Sequence, residues 1–130
     1  KNKRNDEKKS IVYEVLNKVG LIDRINQRSG DLSYGHQRLL ELAMGIAQNP
    51  KLLILDEPTQ GLSDLEIENF KKLIKKISST VTVLLIEHNM DVVMSIADKI
   101  TVLHFGEIIA EGDKQSIQRN PIVQKAYLGD

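Results

Sequence analysis

The sequence predicts an α/β fold whose core is a parallel sheet with flanking helices. Two short apolar runs, residues 52–55 and 81–86, each end abruptly in charged residues. Strands that are apolar on both faces are typical of a parallel sheet covered on both sides. Helical periodicity lies before the first run and between the two. Such alternation favours parallel strands joined by right-handed crossovers. Because parallel strands end at the same edge of a sheet, we expect the carboxyl ends of both strands there.

Composition excludes several classes of protein. The chain has 130 residues, enough for one compact domain but not for two independent ones. It has no cysteine, which excludes disulfides, Cys-ligated zinc and thiol nucleophiles. Its net charge of zero argues against non-specific nucleic-acid binding, which needs a basic surplus. Its apolar runs are far shorter than the roughly 20 residues that cross a bilayer, so any work at a membrane requires a partner.

The N-terminal third predicts two helices. Apolar residues recur at helical spacing over residues 11–19 and end at Gly20, and a second such pattern covers about residues 34–48 before Asn49 and Pro50. Residues 1–9 are rich in lysine, and we expect them to be a frayed, solvated lead-in rather than a signal peptide.

The remainder predicts two helices, a hairpin and a helical C-terminus. Ser63 and Glu66 have the spacing of a capping box at the start of a helix that extends to Ile77. A further helix is expected at about residues 90–97. Strands at 100–103 and 107–110 are joined by a turn at 104–106. Asp113 is expected to cap a short helix, and a last helix follows the break at residues 120–121.

Charged side chains follow both predicted core strands: Asp56 and Glu57 after the first, Glu87 and His88 after the second. In open α/β sheets, ligands bind beyond the carboxyl ends of the strands. A carboxylate pair there is costly to desolvate unless a positive charge lies beside it, and Mg²⁺ with a nucleotide phosphate supplies one. A lone Asp-Glu pair, like a lone strand-end His, is more often a polar strand terminus in solvent.

A second candidate segment begins the predicted helix at about residue 34. Ser33 lies where free backbone N–H groups and the helix dipole favour an anion, and Gly35 permits a close backbone approach to a phosphate. On its own, Ser33 also fits an ordinary N-cap.

The order of these segments is more specific than any one of them, and it resembles the ATP-binding-cassette (ABC) ATPases over nearly the whole chain from Ile11. The resemblance identifies the signature motif, the Walker B strand at residues 52–58, the D-loop and the switch histidine. It implies a partial P-loop NTPase fold, with residues 1–48 as the end of the helical subdomain and residues 49–130 as half of the catalytic core plus the C-terminal tail. The signature residues are Ser33, Tyr34, Gly35, His36 and Gln37, and the D-loop residues are Gly61, Leu62 and Ser63.

The resemblance also implies the role of each site residue. Asp56 would hold Mg²⁺ through a water, Glu57 would deprotonate the water that attacks ATP, and His88 would donate a hydrogen bond to the terminal phosphate. The signature residues would contact the ATP bound by a second nucleotide-binding subunit.

Three stretches, residues 39–43, 86–94 and 126–129, are similar to the branched-chain amino-acid importer ATPases. This similarity implies an ATPase subunit that powers the import of such amino acids or of a related small solute. Its partners would be a second nucleotide-binding subunit, membrane permease subunits and, indirectly, a substrate-binding protein, but no nucleic acid. It would lie at the cytoplasmic face of the cell membrane.

The chain also departs from the family pattern. Tyr34 occupies the usual glycine position, His36 occupies the usual glutamine position with Gln37 next to it, and Ser63 replaces the usual D-loop aspartate. The phosphate-binding sequence Gly-x-x-x-x-Gly-Lys-Ser/Thr and the glutamine loop do not occur. We therefore expect these 130 residues alone to bind Mg-ATP poorly, to hydrolyse none, and to expose apolar surface. The alternatives are a DNA-gripping ABC ATPase, against which the absence of long heptads and of a basic surplus argues, and a natural half-protein that lends its signature to a partner.

Overall fold

A computed structural model describes residues 2–128. The chain divides into two compact units, Lys1–Glu87 and His88–Asp130. The first contains α1 (Asn2–Lys18), α2 (Tyr34–Ala47), β1 (Leu52–Asp56), α3 (Asp64–Ile77) and β2 (Thr82–Ile86), with 3₁₀ turns at Ile22–Arg24 and Ser29–Asp31. The second contains α4 (Met90–Ile96), β3 (Ile100–His104), β4 (Glu107–Gly112), α5 (Lys114–Arg119) and α6 (Pro121–Val123), followed by a single π-helical turn at Gln124–Leu128.

The sheet of the first unit confirms the predicted parallel pairing. β1 and β2 run in register from Leu52 opposite Thr82 to Asp56 opposite Ile86. The crossover between them is α3, so both strands end at the same edge of the sheet.

The predicted capping box begins α3. Ser63 accepts a hydrogen bond from the Glu66 amide, and the Glu66 side chain reaches back to the Ser63 amide. An apolar stripe of Phe70, Ile74 and Ile77 is buried, which fixes the inward face of the helix.

The expectation that the strands are buried on both faces is wrong for the described residues. Leu53 is 8% exposed and packs so closely on α2 that an ideal Cβ on Gly45 would lie 3.0 Å from its Cδ1 atom. The side chains on the opposite face are 47–57% exposed: Leu52, Ile54, Leu84 and Ile86. The strands are apolar on both sides, but elements of this unit cover only one of them, so the predicted exposure of apolar surface is confirmed.

The first helix also differs from its prediction, because α1 starts at Asn2 rather than near Ile11. Lys, Arg and Glu have high helix propensity, so a solvated segment rich in them extends the helix that Val15 anchors in the core, and the buried Val19 follows directly after the helix. Within residues 2–128, no helix combines the length and apolarity needed to cross a membrane.

The second unit is built on the predicted hairpin. β3 and β4 pair antiparallel with a register shift between Val102 and Leu103. Phe105 and Gly106 form the turn with φ of 48° and 81°, the positive pair that two-residue type I′ hairpin turns use. The core of this unit is a buried cluster of four side chains: Ile100, Val102, Ile117 and Val123. The predicted Asp113 cap is present, because its side chain accepts from the Ser116 amide at 2.8 Å.

Candidate functional site

Ser33 is the N-cap of α2. Its hydroxyl oxygen accepts a hydrogen bond from the His36 amide at 3.3 Å and lies 2.9 Å from His36 Nδ1. Ser33 and His36 therefore hold each other at the start of the helix, where the amides of the first turn attract an anion. Both residues lie where the sequence places them, at a helix N-terminus.

Gln37 is turned away from this pair. Its side-chain amide donates to the carbonyl of Leu32 at 3.2 Å and to that of Ser29 at 3.5 Å. In this structure the Gln37 side chain stabilises the loop at residues 29–32, just before α2.

Gly35 is buried, and the reason is a neighbouring carboxylate. An ideal Cβ on Gly35 would overlap the Glu66 carboxylate, whose Oε2 accepts from the Ser63 amide and hydroxyl, both at 2.8 Å. These two bonds, the amide first, lower the pKa of Glu66, and the charge of nearby His36 adds to the effect. The sequence explains Gly35 by the approach of a phosphate, whereas the structure shows a second cause, the capping box of α3.

Tyr34 joins the signature segment to the D-loop. Its hydroxyl donates to the Gln60 carbonyl at 3.1 Å and accepts from Arg38 Nε at 3.0 Å and Nη2 at 2.8 Å. Arg38 also donates to Glu41 at 2.8 Å, and this bond, followed by the bond to Tyr34, raises the pKa of Arg38. The Tyr34 ring lies against Gly61, since an ideal Cβ there would be 2.9 Å from its Cε1.

The three D-loop residues form the turn into α3. Gly61 has a φ of 78°, a conformation that suits glycine, and the Leu62 amide donates to the Thr59 carbonyl at 3.2 Å. Ser63 serves as the N-cap. Serine and aspartate are about equally good N-caps, so the departure from aspartate keeps the cap and removes a charge.

The carboxylates of the Walker B segment lie at the carboxyl end of β1. Asp56 is exposed and pairs in register with Ile86. Glu57 is half-buried, and its amide extends the ladder by donating to the Ile86 carbonyl at 2.8 Å. Its φ of 44° is left-handed, which costs a non-glycine residue about 1–2 kcal/mol. Such outliers persist where surrounding bonds enforce them, often at functional sites.

One of the bonded pairs that enforce this turn was not foreseen from the sequence. Thr59 is 4% exposed, and both its amide and its hydroxyl donate to Oε1 of Glu87, the amide at 3.0 Å. These two hydrogen bonds join the turn after Glu57 to Glu87, the residue that follows β2. The sequence around Thr59 does not indicate this partner, because Thr59 and Glu87 are 28 positions apart.

His88 begins the second unit and is exposed. The next residue, Asn89, is the N-cap of α4 and accepts from the Val92 amide at 3.3 Å. In the first unit, the described residues bring Ser33, Tyr34, Gly35 and His36 together with the D-loop, and place Asp56 and Glu57 at the end of β1.

The donor chemistry of Asp56 is of the kind that Mg²⁺ uses. Among residues 2–128, no three side chains of His, Asp or Glu group closely enough to enclose a metal ion. Mg²⁺ with a nucleotide normally uses one or two carboxylates, and phosphate and water supply the other ligands. An exposed Asp56 at a strand end matches this donor set.

Comparison with known proteins identifies the family. Residues 1–60 match the family model described as ABC transporter, and residues 107–130 match the one described as branched-chain amino acid ATP-binding cassette transporter. This chain belongs to the ABC transporter family. The first match includes the signature segment and the Walker B strand, and the second begins at β4 and continues through the helices after it.

Individual ABC relatives agree with this assignment. The high-affinity branched-chain amino acid transport ATP-binding protein BraF of Pseudomonas aeruginosa is 44% identical over 131 residues, which cover 98% of this chain and 51% of BraF. The corresponding LivG protein of Escherichia coli is 40% identical over 117 residues, which cover 88% of this chain and 46% of LivG. The chain therefore spans about half the length of the curated relatives it matches.

Solved ABC structures confirm the predicted fold. An ATP-binding cassette of an ABC transporter in its ADP conformation superposes with a TM-score of 0.85 at 27% identity, covering 95% of this chain and 51% of that one. A component of a Clostridium perfringens ABC transporter complex gives 0.82 at 26% identity, with the same coverage.

Proposed function

We propose that this chain is the C-terminal part of the ATP-binding and ATP-hydrolysing subunit of an ABC importer for branched-chain amino acids or a related small solute. The observation that carries the proposal is the Asp56-Glu57 carboxylate pair at the carboxyl end of β1, with Glu57 held in a left-handed conformation. The relatives BraF and LivG, both high-affinity branched-chain amino acid transport ATP-binding proteins, support the importer assignment.

Glu57 is proposed as the general base. Its left-handed backbone is fixed by the bond from its own amide to Ile86, so the side chain starts from a defined position. A positioned base of this kind contributes about 10²–10⁴-fold to a hydrolysis rate.

Asp56 and His88 are proposed to act on the charges of the nucleotide. Asp56 would hold Mg²⁺ through a water, and His88 would donate a hydrogen bond to the terminal phosphate as negative charge develops there. When bound, Mg²⁺ neutralises phosphate charge. Both residues are exposed in this structure.

The signature segment is proposed to act on the ATP of a second nucleotide-binding subunit, identical or different. The N-terminus of α2, capped by Ser33, presents amides and the positive end of the helix dipole. The other proposed partners are permease subunits and, through them, a substrate-binding protein, with the assembly on the cytoplasmic face of the membrane. Residues 1–48 would belong to the helical subdomain and residues 49–130 to the catalytic core and tail.

A complete site also needs a phosphate-binding loop, which these 130 residues do not contain. We therefore propose that the active subunit includes a further segment with that loop, consistent with relatives about twice as long. The alternative is a half-protein that lends its signature segment to a partner ATPase.

The decisive test uses the subunit in which this chain is joined to that segment, with Glu57→Gln installed. Removal of the base should trap ATP, so light scattering should show a monomer that becomes a stable dimer only when Mg-ATP is added. Glu14→Gln, an exposed position on α1, is the matched control and should hydrolyse ATP and return to monomer. A Glu57→Gln protein that stays monomeric with ATP would refute the assignment of Glu57 as base in a shared site.

A further inference from the structure

We propose that Tyr34 is a positioning residue that fixes the D-loop, and through it the backbone of Glu57, from the start of α2. The proposed effect on catalysis rests on the function proposed above. The juxtaposition itself rests on contacts within the first unit.

The hydroxyl of Tyr34 forms a directed link between the two segments. It donates to the Gln60 carbonyl at 3.1 Å and accepts two bonds from the Arg38 guanidinium, at 2.8 and 3.0 Å. Donation from a cation polarises the hydroxyl, which strengthens the bond that the hydroxyl itself donates. Arg38 is in turn held by Glu41 at 2.8 Å, and its guanidinium lies 5.1 Å from the centroid of the Tyr34 ring.

The ring makes a second contact with the same loop. An ideal Cβ on Gly61 would lie 2.9 Å from Tyr34 Cε1, so the ring packs directly over a residue without a side chain. Tyr34 stands where the family usually has a glycine. Its ring fits against the D-loop because Gly61 has no side chain.

The link continues to the proposed base. The Gln60 amide donates to the Glu57 carbonyl at 3.2 Å, so the peptide units on both sides of Gln60 are held, one by Glu57 and one by Tyr34. Fixing the Gln60 carbonyl restrains the turn in which Glu57 has its left-handed φ of 44°.

This arrangement predicts that Tyr34 affects turnover more than nucleotide affinity. Its hydroxyl already donates within the chain and has one proton to donate. A role in binding the partner's ATP through that proton would require breaking the bond to Gln60.

The test is Tyr34→Phe in the subunit that includes the phosphate-binding loop, because phenylalanine keeps the ring and removes the hydroxyl. We expect kcat to fall about three- to tenfold, the range for loss of one intramolecular hydrogen bond, with KM for ATP unchanged. Tyr127→Phe is the matched control, since it removes a hydroxyl that donates to the Leu103 carbonyl in the second unit, and it should leave both constants unchanged. A rise in KM at constant kcat, or no change in either, would overturn the proposal.

Hydrogen exchange separates this proposal from the proposed function. The Leu62 amide, bonded to Thr59, should exchange about tenfold faster in Tyr34→Phe than in the unsubstituted protein, because the loop loses an anchor. If the unsubstituted subunit hydrolyses no ATP, the proposed function fails while this measurement still decides the role of Tyr34. Unchanged exchange at Leu62 would refute that role whatever the activity.

Discussion

Thr59 donates both its amide and its hydroxyl hydrogen to a single carboxylate oxygen of Glu87. The pair connects the turn that follows β1 with the residue that follows β2, and Thr59 is almost fully buried. Because the backbone of Glu57 is left-handed two residues earlier, the bonds help to hold a conformation that an isolated turn would relax. The Thr59–Glu87 pair therefore contributes both to the stability of the fold and to the backbone conformation of Glu57, the proposed base.

Thr59→Val should lower the free energy of unfolding by about 1–3 kcal/mol, because the similar-sized side chain leaves a carboxylate without one donor. Urea unfolding followed by circular dichroism measures this. Thr101→Val is the matched control: its hydroxyl also donates to a carboxylate, that of Glu111 at 2.9 Å, but this bond is exposed. The control should change stability by less than about 0.5 kcal/mol, and equal effects at the two positions would contradict the structural role of the buried pair.

The capping box should make stability depend on pH in the acidic range. Hydrogen bonds from Ser63 lower the pKa of Glu66 from its ordinary value of 4.5. The unfolded chain therefore binds a proton at Glu66 more readily than the folded one does. The contribution is full above pH 4.5 and is lost as the pH falls through the lowered pKa.

Urea midpoints measured from pH 6 down to pH 3 should test this with Glu66→Gln. The variant should show a shallower loss of stability on acidification than the unsubstituted chain. Glu14→Gln, exposed on α1, should leave the slope as it is. Parallel curves for Glu66→Gln and the unsubstituted chain would show that the capping carboxylate does not titrate as proposed.

Gly35→Ala should destabilise the chain by about 1 kcal/mol, as overpacking does, because the new methyl group would displace the Glu66 carboxylate from the capping box. Gly30→Ala is the matched control, since an ideal Cβ there meets nothing within 4 Å. Adding Glu66→Ala to Gly35→Ala should abolish the extra loss, which a double-mutant cycle in urea measures. Additive effects of the two substitutions would place the cost of Gly35→Ala elsewhere.

Calorimetry on these 130 residues should detect no saturable heat with Mg-ATP at micromolar concentrations. The chain contains the proposed Mg²⁺ ligand Asp56 but no Gly-x-x-x-x-Gly-Lys sequence for the β and γ phosphates. Repeating the titration with the subunit that includes such a loop provides the positive control. Micromolar binding by the shorter chain would mean that its own residues form a nucleotide site without a phosphate-binding loop.

The sequence was sufficient where local chemistry sets structure. Helical periodicity predicted α2 and α3, and the three-residue spacing of Ser63 and Glu66 predicted the capping box that begins α3. The apolar runs predicted β1 and β2 and their parallel pairing. The hairpin follows from two strand-like runs around a short turn, and its φ values complete the explanation.

The sequence was insufficient where partners lie far apart along the chain. Tyr34 and Gln60 are 26 residues apart, and Thr59 and Glu87 are 28 apart. No periodicity joins such positions, and only the packing of α2 and the crossover through α3 brings them together. The candidate site could therefore be predicted as a set of positions, while the side chains that hold it in place could not. The roles of Asp56, Glu57 and His88 remain predictions.

The parallel pairing of β1 with β2 has a consequence for the order in which the chain is made. A ribosome adds about 5–20 residues per second, and β2 is completed about thirty residues after β1, so at that rate β1 waits about 2–6 s for its partner. During that interval β1 lacks its β2 partner. The helix made before it, α2, can already cover the face that carries Leu53, and α3 must form before β2 can join the sheet. Point changes that slow the formation of α3, such as loss of its N-cap, should therefore lower the yield of folded protein in cells more than their effect on equilibrium stability suggests.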